Sequence, residues 1–174
     1  NDPNPIPGRL ARKSIVHDVA LVAIDTANTT LPSVVLEIND KEPDLGELIT
    51  ILGYPAVSSP LVEITETANP FDSKFAENKI YTPTLTTGYM GKRITSNRKS
   101  SDSARKYTWS YGDMYQLTAN ATGAGNSGGP VFNSQGRVIG IFNARAEYGG
   151  ARVTFAVPIK YGRDLTDGYK ASAD

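Results

Sequence analysis

Short stretches rich in β-branched and aromatic residues recur along this 174-residue chain, each bounded by Gly, Pro, Asn or Asp. They cover 14–24, 33–38, 48–53, 61–66, 79–90, 107–117, 130–133, 137–143 and 152–157. Branched side chains fit a pleated surface and lose rotamer freedom in a helix. The turn formers between them end each strand after a few residues. This spacing points to a β-barrel or sandwich and away from alternating strands and helices. Only 158–170 (PIKYGRDLTDGYK) reads as weakly helical, with Pro158 near the helix start. The fold class is therefore all-β.

Composition removes several chemistries. The chain has no cysteine, which excludes disulfides, thiolate metal sites and a cysteine nucleophile. A single histidine argues against a His-based metal centre, and no cofactor or metal is implied. Eighteen basic and eighteen acidic residues leave no net charge to recruit nucleic acid or an anionic membrane surface. No apolar run approaches the roughly 20 residues of a spanning helix. The lack of disulfides fixes no compartment. The opening NDPNPIPGRL is polar and Pro-rich, and residues 1–13 read as a linker or processed end.

One segment differs in composition. Residues 92–110 carry Lys92, Arg93, Arg98, Lys99, Arg105 and Lys106 against one acid, Asp102, in a Ser/Asn-rich setting. A solvated surface loop is the plain reading. A self-cleavage site and an anion-docking loop are the sharper ones.

The stretch TGAGNSGGPVFNSQGRVIGIF (122–142) sets Ser127 between glycines, just ahead of a β-patterned run. A serine hydroxyl becomes a nucleophile only when a base takes its proton. The oxyanion it creates needs preorganised donors, and backbone N–H groups serve where the chain turns sharply. Glycine permits such turns. On composition alone, an ordinary hairpin turn is the preferred reading of the stretch, since Asn, Ser and Gly are common turn formers.

The wording of the motif narrows this. GNSGGPV followed by FNSQGRVIGIF resembles the nucleophile segment of trypsin-like serine peptidases in their disulfide-free bacterial form, close to the high-temperature-requirement and glutamyl endopeptidase groups. Downstream, GGARVTFAVP (149–158) is similar to the late strand and turn of the first group. Upstream, GELITILGYP (46–55) is similar to the family's strand ending in Gly-Tyr-Pro, and HDVALVAI (17–24) to the strand carrying the triad aspartate. The matches fall in family order from 17 to 160.

The resemblance implies two β-barrels, a polypeptide substrate and an acyl-enzyme mechanism. It makes Ser127 the nucleophile and Asp18 the carboxylate that orients the base. The N–H groups of Gly125 and Ser127 become the oxyanion donors. Ala121, Thr122, Phe142, Asn143 and Ala144 become the walls of the substrate pocket. Phe142 stands where the glutamyl group has a histidine, and no acid lies at the pocket base. The resemblance therefore implies a small or apolar side chain on the acyl side of the scissile bond, rather than a glutamyl or a basic one.

The family order is His, Asp, Ser, yet the one histidine is His17, beside Asp18. Neighbours on a strand point to opposite faces, so His17 faces away if Asp18 faces the cleft. The strands near Asp18 are apolar on both faces and need cover. The expectation is thus the carboxy-terminal part of a serine endopeptidase: 14–45 the remainder of a first barrel, 46–160 a complete second barrel, and 161–174 a short helix and tail. An N-terminal fragment of the same protease would bring the catalytic histidine. The alternative is an inactive pseudoprotease that binds peptides.

Overall fold

The computed structural model describes residues 6–26, 30–37, 39, 41–66, 75–95, 112–119 and 123–170. Among the described residues, ten strands and one short helix follow in chain order: β1 (Gly8–Lys13), β2 (Ala20–Ile24), β3 (Leu48–Gly53), β4 (Leu61–Glu66), β5 (Phe75–Ile80), β6 (Thr84–Ile94), β7 (Met114–Leu117), β8 (Pro130–Asn133), β9 (Val138–Tyr148), β10 (Ala151–Pro158) and α1 (Lys160–Thr166). Six of them close an antiparallel barrel in the order β10-β7-β6-β3-β8-β9. Closure leaves no unpaired edge among these strands.

Alternation builds the barrel interior. Along β3, Ile49 and Ile51 are buried while Leu48 is exposed, the period of two that a half-covered strand demands. Ile49, Ile51, Met90, Leu117, Val131, Ile139, Phe142 and Ala156 meet in one apolar cluster. A second cluster lies outside the first: Val19, Met114, Phe155 and Val157, with Ile141, Tyr161 and Leu165 packed against it. Val19 immediately follows Asp18. Its burial, worth roughly 1.5–3 kcal/mol for a side chain of this class, fastens the aspartate segment to the barrel and to α1.

β1 and β2 form a separate two-stranded ribbon. Residues 8–13, expected within a linker, are therefore strand. They find a partner in β2, and Arg12 donates to the α1 carbonyls of Leu165 (3.1 Å) and to Asp167 O (2.8 Å). Those are the carbonyls a helix C-terminus leaves unsatisfied. Leu10 pairs directly with Val22, and both are more than half exposed, at 61% and 55%. One face of the ribbon is thus apolar and uncovered.

Three further expectations change. Residues 14–18 are a turn rather than strand: Ser14 Oγ accepts from the amides of Val16 and His17, and Ser14 N–H donates to Val19 O. Such local side-chain bonds compete with strand pairing. Residues 33–37 make only a parallel bridge, Leu36 to Val138, with Val34 and Val35 exposed. The span 79–90 is broken at 81–83, where Pro83 withholds a donor, into the end of β5 and the start of β6. Lys92 and Arg93 of the basic stretch belong to β6, where Arg93 donates to Pro43 O and pairs with Glu42. Residues 96–111, and with them most of that stretch and the start of the 107–117 strand, lie outside the described residues.

Candidate active site

The serine turn is cast against the end of β3, backbone on backbone. A Cβ on Gly53 would stand 2.1 Å from Asn126 Oδ1, one on Gly125 2.1 Å from Tyr54 O, and one on Gly129 2.4 Å from Leu52 O. None of these approaches leaves room for a side chain. Ala56 N–H donates to Ala124 O at 2.7 Å, locking the segment after β3 to the turn. Gly125 and Gly128 hold φ of 98° and 85°, left-handed values that glycine adopts at little cost. Asn126 points inward and is 2% exposed.

The amides of this turn divide into two sets. Asn126 N–H donates to Gly123 O, Gly128 N–H to Phe142 O, and Gly129 N–H to Asn126 O. The N–H groups of Gly123, Ala124, Gly125 and Ser127 donate to no acceptor among the described residues. Gly125 and Ser127 are the two to which the resemblance assigns an oxyanion. The bonds to Phe142 are reciprocated by Phe142 N–H to Gly129 O, which ties the turn to β9.

β9 carries the link to the carboxylate. In the β9–β10 register, Ala156 faces Phe142 and Phe155 faces Ala144, so Asn143 is the extra residue of a β-bulge. Bulges re-aim side chains, and this one gives Asn143 two partners. Its carbonyl accepts from Ser127 Oγ at 3.3 Å, and its Nδ2 donates to Asp18 Oδ2 at 2.6 Å. Asn143 thus bridges Ser127 and Asp18, a contact that sequence reasoning, which made Asn143 a pocket wall, did not reach. Phe142 lies buried in the core and Ala144 continues the strand. Ala121 and Thr122 lie outside the described residues.

Asp18, Val19, Ala20, Ser127, Gly128, Ile141, Phe142 and Asn143 line a cleft of about 410 Å³. His17 is not among them. Its ring stacks on Tyr161 at 3.4 Å between centroids and 14° between planes, beside Gly112. The Ser14–Val19 turn sends His17 and Val19 toward α1 and the barrel and leaves Asp18 exposed in the cleft. Chemically, the site offers a hydroxyl and a carboxylate held by the Asn143 side-chain amide, both lining one cleft. The carbonyl that now accepts the Ser127 proton is too weak a base to remove it.

The family model described as trypsin-like peptidase domain matches residues 1–141. No curated protein matches the sequence. Among solved structures, Rv3671c of M. tuberculosis H37Rv, a serine-to-alanine mutant in an inactive form, superposes with a TM-score of 0.60 at 17% identity, over 99% of this chain and 69% of that one. A second structure of the Rv3671c protease in an inactive form gives 0.60 and 17%, over 98% and 70%. The serine endoprotease of Yersinia pestis gives 0.59 and 21%, over 94% of this chain and 44% of its own. At these identities the structures speak for the fold, and the family model for the kinship.

Proposed function

This chain belongs to the trypsin-like peptidase family, and from that premise we propose that it is the carboxy-terminal part of a serine endopeptidase whose catalytic histidine comes from an N-terminal segment of the same protease. Ser127 is the nucleophile. The base deprotonates it, then protonates the leaving amine, and Asp18 holds the imidazole in the required tautomer. The amides of Gly125 and Ser127 receive the tetrahedral oxyanion, where removal of one donor typically costs on the order of 10²–10³ in kcat. Residues 14–45 are the remainder of the first barrel and 46–160 the second.

One observation supports this reading above the others: the hydroxyl of Ser127 and the carboxylate of Asp18 line one cleft and are joined through Asn143, while the Gly125 and Ser127 amides, the two an oxyanion needs, make no bond among the described residues. The cleft between Asp18 and Ser127 is where an imidazole must stand, and the exposed face of Leu10 and Val22 is where its segment would pack. The rival reading, a pseudoprotease that binds peptides, draws on the hydrogen bond from Ser127 to a neutral carbonyl and on His17 lying outside the cleft.

A labelled fluorophosphonate separates the two. Rapid covalent capture at Ser127 in the protease carrying its N-terminal segment, and slow capture by residues 1–174 alone, is the expected result. Intact peptide binding with no capture in either form would establish the pseudoprotease.

A further inference from the structure

Asp18 is the exposed apex of a three-residue turn. Val19 N–H donates to His17 O at 2.8 Å, the bond that closes such a turn. A carboxylate raised on so small a turn points where its two neighbours let it, and both neighbours are fastened to α1. Val19 is buried, and a Cβ on Gly162 would stand 3.8 Å from its Cγ2. His17 lies flat on the ring of Tyr161, the second residue of the helix. The segment entering β7 closes the arrangement. Gly112, at a φ of 83°, runs so near the imidazole that a Cβ there would stand 2.1 Å from Nδ1. Next in sequence, Asp113 accepts a hydrogen bond from the Tyr161 hydroxyl. On α1 itself, Lys160 Nζ stands 5.2 Å from the centre of the Tyr161 ring. The far end of the helix receives Arg12, from the strand that leads into the turn, on Leu165 O and Asp167 O.

We infer that His17 and Tyr161 are positioning residues, and that their stack fixes the direction in which Asp18 presents its carboxylate. The orienting acid of a triad works only when it meets the imidazole N–H in line. Asn143 fixes one oxygen, Oδ2, at 2.6 Å. One bond does not set a direction, so the backbone beneath the carboxylate must do so. That backbone cannot rotate while a flat ring on one side and a buried Val19 on the other stay in place. A shift of about 1 Å at a reacting group costs on the order of 10²-fold in rate. The one histidine of the chain thus serves the carboxylate from behind, through the face of its ring, and takes no proton from the serine. This rests on the serine endopeptidase reading and adds how its carboxylate is aimed.

The test uses the protease carrying its N-terminal segment. It follows the rate constant of fluorophosphonate capture at Ser127, with kcat and KM on one peptide substrate. That rate constant does not depend on how much of a sample is folded, so a poorly folding variant still reports on the aim of Asp18. His17→Ala should slow capture and lower kcat by roughly ten- to a hundredfold, with KM within about twofold of native. His17→Phe, which keeps a flat ring on Tyr161, should restore most of the rate. Tyr161→Ala should repeat the loss, whereas Tyr161→Phe, which keeps the ring and drops the hydroxyl, should retain most of the rate. The double variant His17→Ala/Tyr161→Ala should be no slower than either single one, because the two rings act as a unit. Arg163→Ala removes a different tie of the same helix, to Glu37 O at 3.1 Å, and should leave the rate as it is. Equal rates for native and His17→Ala, or a His17→Phe as slow as His17→Ala, overturn the positioning role and leave the peptidase reading standing. An equal loss in Arg163→Ala traces the effect to the helix at large and overturns the stack. A native protease that takes no label and cleaves no peptide overturns both.

Discussion

At the scale of single residues, the site is held by hydrogen bonds whose partners differ in kind. Ser127 Oγ rests on a backbone carbonyl, whereas Asp18 is held by a side-chain amide. Substitutions should therefore separate their roles. In the assembled protease, Ser127→Ala should lower kcat by roughly 10⁶-fold, the scale of losing a covalent nucleophile. Asn143→Ala keeps the carbonyl and loses only the amide that orients Asp18. In a partly solvated cleft that bond is worth about 1 kcal/mol, a roughly fivefold fall in kcat/KM. Asn143→Ser, which restores a donor, should recover part of the rate, and thermal stability should barely change because the bulged residue has no β10 partner. An equal loss in both variants would remove Asn143 from its positioning role. Ser127, Asp18 and the two amides could be proposed from the chain because a motif states them in order. The bridge through Asn143 could not, since it arises from a one-residue register shift between β9 and β10 that no local pattern announces.

Elements show where local propensity is overruled. β3, β4 and β8 follow the boundaries of their apolar stretches, because each is short and closed by turn formers at both ends. β1 was invisible: GRLARK has no β-branched residue, and its strand exists only because β2 and the end of α1 supply partners. Residues 33–37 err the other way, β-rich in sequence yet joined to the sheet by one bridge. The end of β3 makes its own prediction. Gly53→Ala drives a methyl into the buried side chain of Asn126, a residue of the serine turn itself. Overpacking of this kind costs about 1–3 kcal/mol. Gly136→Ala costs about 1–2 kcal/mol at its φ of 72° but meets no atom within 4 Å. Urea titration should find both variants destabilised, while fluorophosphonate capture in the assembled protease should slow only for Gly53→Ala. Equal capture rates would mean that the β3 end does not set the turn. Among the described residues β4 and β5 pair only with each other, and two-stranded hairpins are marginal alone. Their amides should exchange with solvent faster than those of β3 and β6, read residue by residue by NMR.

For the molecule as a whole, closure of the barrel decides which groups are shut away from water, and that makes stability depend on alkaline pH. The two-barrel reading came from the order of the motifs, but which tyrosines the barrel would bury depended on closure and could not be read from β7 alone. Tyr115 is 5% exposed, opposite Ala156 on one neighbouring strand and Arg93 on the other. Burial, reinforced by the charge of Glu42 and opposed by that of Arg93, pushes its hydroxyl up to about 12. Tyr161 moves the same way, through burial and then the hydrogen bond it donates to Asp113. In the unfolded chain a tyrosine releases its proton near pH 10. Between about pH 10 and about pH 12 the unfolded state therefore binds fewer protons than the folded one, and stability falls as pH rises, by up to about 1.4 kcal/mol per pH unit from Tyr115. Below about pH 10 both states hold the proton and the contribution is constant. Lysine side chains as a class titrate in the same range, so the native protein alone does not isolate the effect. The comparison is with Tyr115→Phe, which fills nearly the same volume and has no proton to lose. Urea midpoints measured from about pH 9 to about pH 11.5 should decline more steeply for the native chain than for the variant, with parallel curves below about pH 10. Curves that stay parallel through the whole range would show that Tyr115 titrates alike in the folded and unfolded chains, and that the barrel does not shield it.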